Sequence, residues 1–259
     1  MKKILVIGDS CRDVFVYCHA ERLAPDLPVP VLRIIEETSN PGMASNVARN
    51  IRAIHPACEL VTNPGWEGVT KTRYVHKNSN HTFVRVDADP RVPRIAIHNL
   101  PLQDYDLVAI SDYNKGFLEE EDIKAICERH PNVFIDTKKK LGDWAKGAKI
   151  IKINNYEFER SKDTITPELA EKIIVTRGEH GAEYHCKLYP VAERVDVKDS
   201  TGAGDSFFAG LLVRYAETGD IDESIHFANA CAARAVSQKG VSVIERPHSA
   251  SHGQSTHAY

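Results

Sequence analysis

The sequence lacks long hydrophobic runs, paired cysteines and a surplus of either charge, and each absence removes a class of function. Its longest apolar stretches, such as Ile4–Ile7, are of strand length, far short of the roughly 20 residues a membrane helix needs. The 33 Lys and Arg against 36 Asp and Glu leave a formal charge of −3, so no global positive field draws the chain to nucleic acid or an anionic membrane. Six cysteines are scattered without a CxxC pair and read as reduced, small apolar fillers. The histidines read as solvated or satisfied in the core rather than as metal ligands. Two lysines lead from Met1 straight into an apolar strand with no room for a leader's apolar stretch, so a cytoplasmic location is expected.

What is present is an alternation. Short runs rich in β-branched residues at Ile4–Ile7, Leu107–Ile110, Val133–Ile135, Ile150–Ile153 and Ile173–Thr176 predict buried strands. Between and after them, helical patterns cover Ala44–Ile54, Glu119–His130, Asn155–Ser161, Pro167–Glu171, Gly204–Thr218 and Ile221–Ser237. Strands and helices at this spacing imply βα crossovers and a parallel sheet with helices on both faces. Two segments, around residues 10–35 and 70–87, alternate polar and apolar positions instead. They predict a small antiparallel sheet standing off the main domain as a lid. One domain is expected over residues 1–246, with a disordered tail at 247–259.

The strongest chemical signal is DSTGAGD, residues Asp199 to Asp205, followed by an apolar helical run. The glycines permit a tight turn whose N–H groups converge on an anion at a helix N-terminus. A carboxylate there competes with that anion unless it accepts a proton from a nucleophilic hydroxyl. The plain alternative is a Gly-rich loop with Asp205 as a local cap. Similarly, Asn154-x-x-Glu157 suits a hydrated divalent cation, or simply a helix N-cap carrying an exposed Glu. The turn after Gly8 lacks the second and third glycines of a dinucleotide fingerprint, which removes a Rossmann dehydrogenase.

DSTGAGD before an apolar helix, late in an α/β chain, resembles the nucleotide-site signature of the ribokinase (PfkB) family of sugar kinases. That resemblance implies a ribokinase-like three-layer α/β/α fold with a mostly parallel central sheet and a small β-sheet lid. It also implies ATP and Mg²⁺ as cofactors, Asp205 as catalytic base, and Gly202, Ala203 and Gly204 as the anion hole. NPGMASNVA from Asn40 resembles the family's PGGAANVA motif and places Gly42 and Asn46 at the sugar, with Met43 standing where the family has a second glycine. Asp13 is implied as a ligand of sugar hydroxyls. Asn154 and Glu157 match the NxxE motif that positions Mg²⁺. Asn154 again, with Thr176, Arg177, Gly178, Gly181, Thr201 and Asn229, is implied on the nucleotide side.

Within the family, the Glu21–Val31 stretch, SDYNKG (Ser111–Gly116), the Asp136–Lys138 tripeptide and TKTR…RVD look like D-glycero-D-manno-heptose 7-phosphate kinases, the kinase half of ADP-heptose synthases. A phosphorylated sugar needs cations, and Arg73, Arg85, Lys115 and Lys138 are candidates, against the alternative of solvated surface charges. The chain is trimmed relative to the family, lacking about one strand–helix unit between Ile54 and Thr70. The nucleotidyltransferase half is absent, so the chain alone is not expected to make an ADP-sugar. A homodimer through the lid is expected, with no nucleic-acid or membrane partner. Rival readings are a kinase for fructose, ribose or a nucleoside such as adenosine, and a degenerate, non-catalytic sugar- or nucleotide-binding protein.

Overall fold

The structure is a computed structural model that describes residues 1–88, 90–192, 195–238, 240 and 243–245. The tail expected at 247–259 lies outside the described residues. The first strand, β1 (Ile4–Gly8), is buried along its whole length, as a strand covered on both faces must be. It is followed by β2 (Ser10–Leu23), β3 (Pro30–Met43), α1 (Ala44–Ile54), β4 (Cys58–Thr62), β5 (Thr70–His76) and β6 (Thr82–Ala88). The alternation then begins: β7 (Leu107–Asp112), α2 (Glu120–Arg129), β8 (Val133–Thr137), β9 (Ile150–Asn154), α3 (Asn155–Ser161), α4 (Pro167–Ala170) and β10 (Ile173–Thr176). A hairpin of β11 (Ala182–Tyr184) and β12 (Lys187–Tyr189) precedes two long helices, α5 (Ala203–Thr218) and α6 (Ile221–Val236).

Eight strands form one sheet in the order β12-β11-β10-β9-β8-β7-β1-β4. Every pairing from β10 to β4 is parallel, and only the β10–β11 and β11–β12 pairings at one edge are antiparallel. Successive strand residues face opposite ways, so Leu5 and Ile7 enter one core and Ile4 and Val6 the other. Ile123 and Ile126 of α2 pack in the first core. Val47 and Ile51 of α1, Phe208 and Leu212 of α5, and Ile225 of α6 pack in the second. The result is the ribokinase-like α/β fold, helices on both faces of a mostly parallel sheet.

The lid is a separate four-stranded sheet, β3-β2-β5-β6. Its two long strands run 14 residues each, the second continuing to Met43, past the end of the lid segment expected near residue 35. The motif Pro41-Gly42-Met43 is therefore the end of a lid strand feeding directly into α1. A second correction concerns residues 54–70: the strand expected to be missing is present as β4, paired with β1 at the sheet edge. A single 3-10 turn, Trp66–Gly68, follows it before the chain enters the lid.

Candidate active site

Gly202, with φ 80°, turns the chain into α5, a left-handed conformation that glycine adopts without steric cost. Asp205 then falls in the first helical turn and is buried. Asn46 Nδ2 donates to Asp205 Oδ2 at 2.8 Å, and the Tyr113 hydroxyl donates to Oδ1 at 2.6 Å. The amide of Asn46 is itself oriented, because Asn50 Nδ2 donates to its side-chain oxygen at 3.1 Å and its carbonyl at 2.8 Å. Burial pushes the Asp205 carboxyl above its ordinary range, Asn46 and Tyr113 pull it back, and the nearby Asp136 raises it again. The outcome is a carboxylate with raised basicity, held by two donors and set beside first-turn amides that have no intrahelical partners.

The lid supplies the other wall. Asp13 of β2 is held by Arg73 of β5, with NH1 2.7 Å from Oδ1. Gly42 has no side chain for a local reason: a Cβ there would lie 2.3 Å from Asp13 Oδ2 and 2.8 Å from Cys11 Sγ. Its bareness makes room for the Asp13 carboxylate. Met43 adopts φ 60°, ψ −132°, a conformation that costs a non-glycine residue about 1–3 kcal/mol, while its side chain is buried in the core. The backbone here keeps a glycine's shape although the residue is Met. Arg85 is committed to Asp87 through two bonds of 2.7 Å, and Lys138 to Glu157. Lys115 follows the Tyr113 turn, where its carbonyl accepts from Val92 N at 3.2 Å.

On the opposite side, Asn154, Thr176, Arg177 and Gly178 line one cavity of about 360 Å³, together with Asn155, Tyr156 and His180. Four of the residues expected at the nucleotide are thus brought together. Gly181 and Asn229 are placed elsewhere. A Cβ on Gly181 would lie 2.1 Å from the Tyr189 carbonyl, and Asn229 Nδ2 donates to that same carbonyl at 2.7 Å. Both pin the β11–β12 hairpin and do not line the cavity. Thr201 sits in the loop before α5, its N–H donating to Asp199 Oδ1 at 2.8 Å.

Asn154 and Glu157 form a reciprocal cap on α3: Asn154 Oδ1 accepts from Glu157 N at 2.9 Å and Glu157 Oε2 accepts from Asn154 N at 2.8 Å. The helix-cap reading is thus present, with the difference that Glu157 is buried instead of exposed. Its carboxylate already accepts from Lys138 as well. A carboxylate engaged in this way suits a cation that keeps its own waters. Asp136 offers a second fit, because its Oδ1 is buried with no hydrogen-bond partner while Oδ2 accepts from Lys152 Nζ at 2.8 Å. An orphaned carboxylate oxygen is satisfied by a cation or its water.

Three contributors were not singled out from sequence. Tyr113 lies inside SDYNKG, yet its hydroxyl on Asp205 needs the fold to be seen. Lys152, two residues before Asn154 on β9, lies against the anion loop, since a Cβ on Gly204 would stand 3.1 Å from its Nζ. Lys71, inside TKTR, is buried over the Tyr113 ring at 4.9 Å from the centroid. Strand alternation signals where such residues face only once the register is known.

Comparison with known proteins places the chain beside sugar and nucleoside kinases. Residues 120–247 match the family described as "pfkB family carbohydrate kinase". Among curated proteins, the bifunctional protein HldE of Hydrogenovibrio crunogenus is 28% identical over 293 residues, covering 94% of this chain and 61% of that protein. HldE of Rhodopseudomonas palustris strain BisB5 is 29% identical over 299 residues, covering 93% and 61%. The chain thus spans about three-fifths of the length of the curated relatives it matches. Among solved structures, ribokinase from Thermotoga maritima superposes with a TM-score of 0.71 at 19% identity, covering 93% of this chain and 95% of that one. The nucleoside kinase of Methanocaldococcus jannaschii also gives 0.71, at 20% identity and 93% coverage of each chain.

Proposed function

We propose that the chain, whose residues 120–247 match the family described as "pfkB family carbohydrate kinase", transfers the γ-phosphoryl group of ATP to a sugar hydroxyl, with heptose 7-phosphate the leading acceptor. The observation that supports this most is Asp205, buried at the first turn of α5 with Asn46 and Tyr113 on its two oxygens. Each oxygen retains acceptor capacity, so an acceptor hydroxyl can enter as a third donor and pass its proton to Asp205 as it attacks. The amides of Gly202, Ala203 and Gly204, at the positive end of α5, receive the charge of the transferring group. Lys152, lying against Gly204, adds a fixed positive charge beneath that loop. Asp13, locked by Arg73, holds hydroxyls of the acceptor. Asn154, Thr176, Arg177 and Gly178 receive the nucleotide in the cavity they line. Glu157 and the unpaired oxygen of Asp136 would hold Mg²⁺, which would supply positive charge against the phosphates.

The heptose reading draws on the HldE relatives, of which this chain covers the part matched here. Two further elements belong to the same proposal. The face of the lid turned away from Asp13 carries Ile34, Val84 and Val86, all substantially exposed, and a second copy of the chain is the partner that covers it. No helix among the described residues is long and apolar enough to cross a membrane, and we place the enzyme in the cytoplasm, where ATP is maintained.

The test is a coupled ADP-release assay with ATP and Mg²⁺ against heptose 7-phosphate, fructose 6-phosphate, fructose, ribose and adenosine. Turnover with heptose 7-phosphate well above the others is the expected result. A different preferred acceptor reassigns the substrate. Silence across the panel from folded, ATP-binding protein favours a non-catalytic binder, with Met43 at the sugar-facing turn as the feature to revert first.

A further inference from the structure

We propose that Lys71 is the residue with which this site reads an anionic substituent on the acceptor, setting a preference for a phosphorylated sugar over its neutral counterpart. The inference rests on the kinase reading above and names the side chain that selects its acceptor.

The argument is one of charge on a single face. Asp13 pairs with Lys71 across the parallel β2–β5 ladder, while Lys71 faces Asp87 and Arg73 faces Arg85 across the antiparallel β5–β6 ladder. Cross-strand partners and alternate residues share a face, so all five charged groups stand on the side of the lid that carries Asp13. Two carboxylates serve three cations. Arg73 takes Asp13 at 2.7 Å and Arg85 takes Asp87 through two bonds of 2.7 Å. Lys71 is left without a hydrogen bond or ion pair among the described residues, although it is only 7% exposed. Burying an unpaired ammonium is costly. Its position over the Tyr113 ring, 4.9 Å from the centroid, gives partial compensation through the ring face, while the carboxylates of Asp13 and Asp87 are bonded to Arg73 and Arg85 instead.

The location gives this surplus charge a use. Tyr113 lies under Lys71 and donates its hydroxyl to Asp205, so one ring separates the free cation from the base. Of the other basic candidates, Arg73, Arg85 and Lys138 are spoken for by Asp13, Asp87 and Glu157. A phosphate ester brings close to two negative charges at neutral pH and supplies the partner Lys71 lacks. A neutral sugar leaves it unpaired, and discrimination arises from that difference.

The test compares wild type with Lys71→Gln and Lys71→Arg, titrating heptose 7-phosphate and dephosphorylated heptose into protein without ATP. Wild type should prefer the ester. In Lys71→Gln the ratio of the two association constants should fall about thirtyfold, as expected for loss of a charge-assisted contact, and Lys71→Arg should restore most of it. Equal weakening of both ligands would overturn the proposal and make Lys71 a support for Tyr113. So would wild type that binds both ligands alike, or a Lys71→Gln effect confined to ATP. Because the titration needs no turnover, a protein that releases no ADP with any acceptor would refute the kinase reading separately.

Discussion

Asp205, Asn46 and Tyr113 come from α5, α1 and the turn after β7, and they meet around one carboxylate. At this scale the two opposing influences on Asp205 can be separated by mutation. Burial raises its proton affinity and the Tyr113 hydroxyl lowers it. Only the deprotonated carboxylate can take the acceptor's proton, so activity is lost as pH falls through its pKa. Tyr113→Phe removes a donor to the charged form, worth about 1.5–3 kcal/mol, and one pKa unit corresponds to about 1.4 kcal/mol. The acidic limb of kcat against pH should therefore move upward by about one unit or more in Tyr113→Phe. A limb that stays in place, or moves down, would remove Tyr113 from the control of Asp205. Asp205, Gly202 and Asn46 were legible because short motifs place them. Arg73, Arg85 and Lys138 were legible as cations but not as members of ion pairs, since pairing depends on strand register and rotamer.

The elements tell the same story at larger spacing. The buried strands of the main sheet were readable from continuous apolar runs, and the helices that follow them from their period. What escaped was either short or interrupted. Cys58–Thr62 mixes polar and apolar residues at the sheet edge, and β11 and β12 run three residues each. The second lid strand was cut short in the reading, which ended the segment near residue 35, whereas it continues through Asn40-Pro-Gly to Met43. The lid has two chemically different faces. Asp13, Lys71, Arg73, Arg85 and Asp87 lie on one. Tyr74, Val84, Val86 and Ile34 fall on the other by the same alternation, the last three exposed. An apolar sheet face left in water favours association. Sedimentation should find two chains per particle, and Val86→Lys should shift the particle to one chain. A wild-type monomer at working concentration would show that the lid's outer face stays uncovered.

Over the whole molecule, the division of labour follows from how the two sheets are built. The eight-stranded sheet and its helices fix Asp205, Lys152 and the cavity lined by Asn154 and Thr176 on one frame, and the lid carries Asp13 and Lys71 together on its charged face. Sites carried on such frames keep their groups within the tolerances that group transfer requires. The account as a whole depends on Asp205 acting as the base. The most direct measurement is ADP release with the preferred acceptor in wild type and Asp205→Asn, alongside ATP binding to both. Loss of turnover by a hundredfold or more with ATP affinity largely retained is the predicted result. Turnover in Asp205→Asn equal to wild type would contradict it.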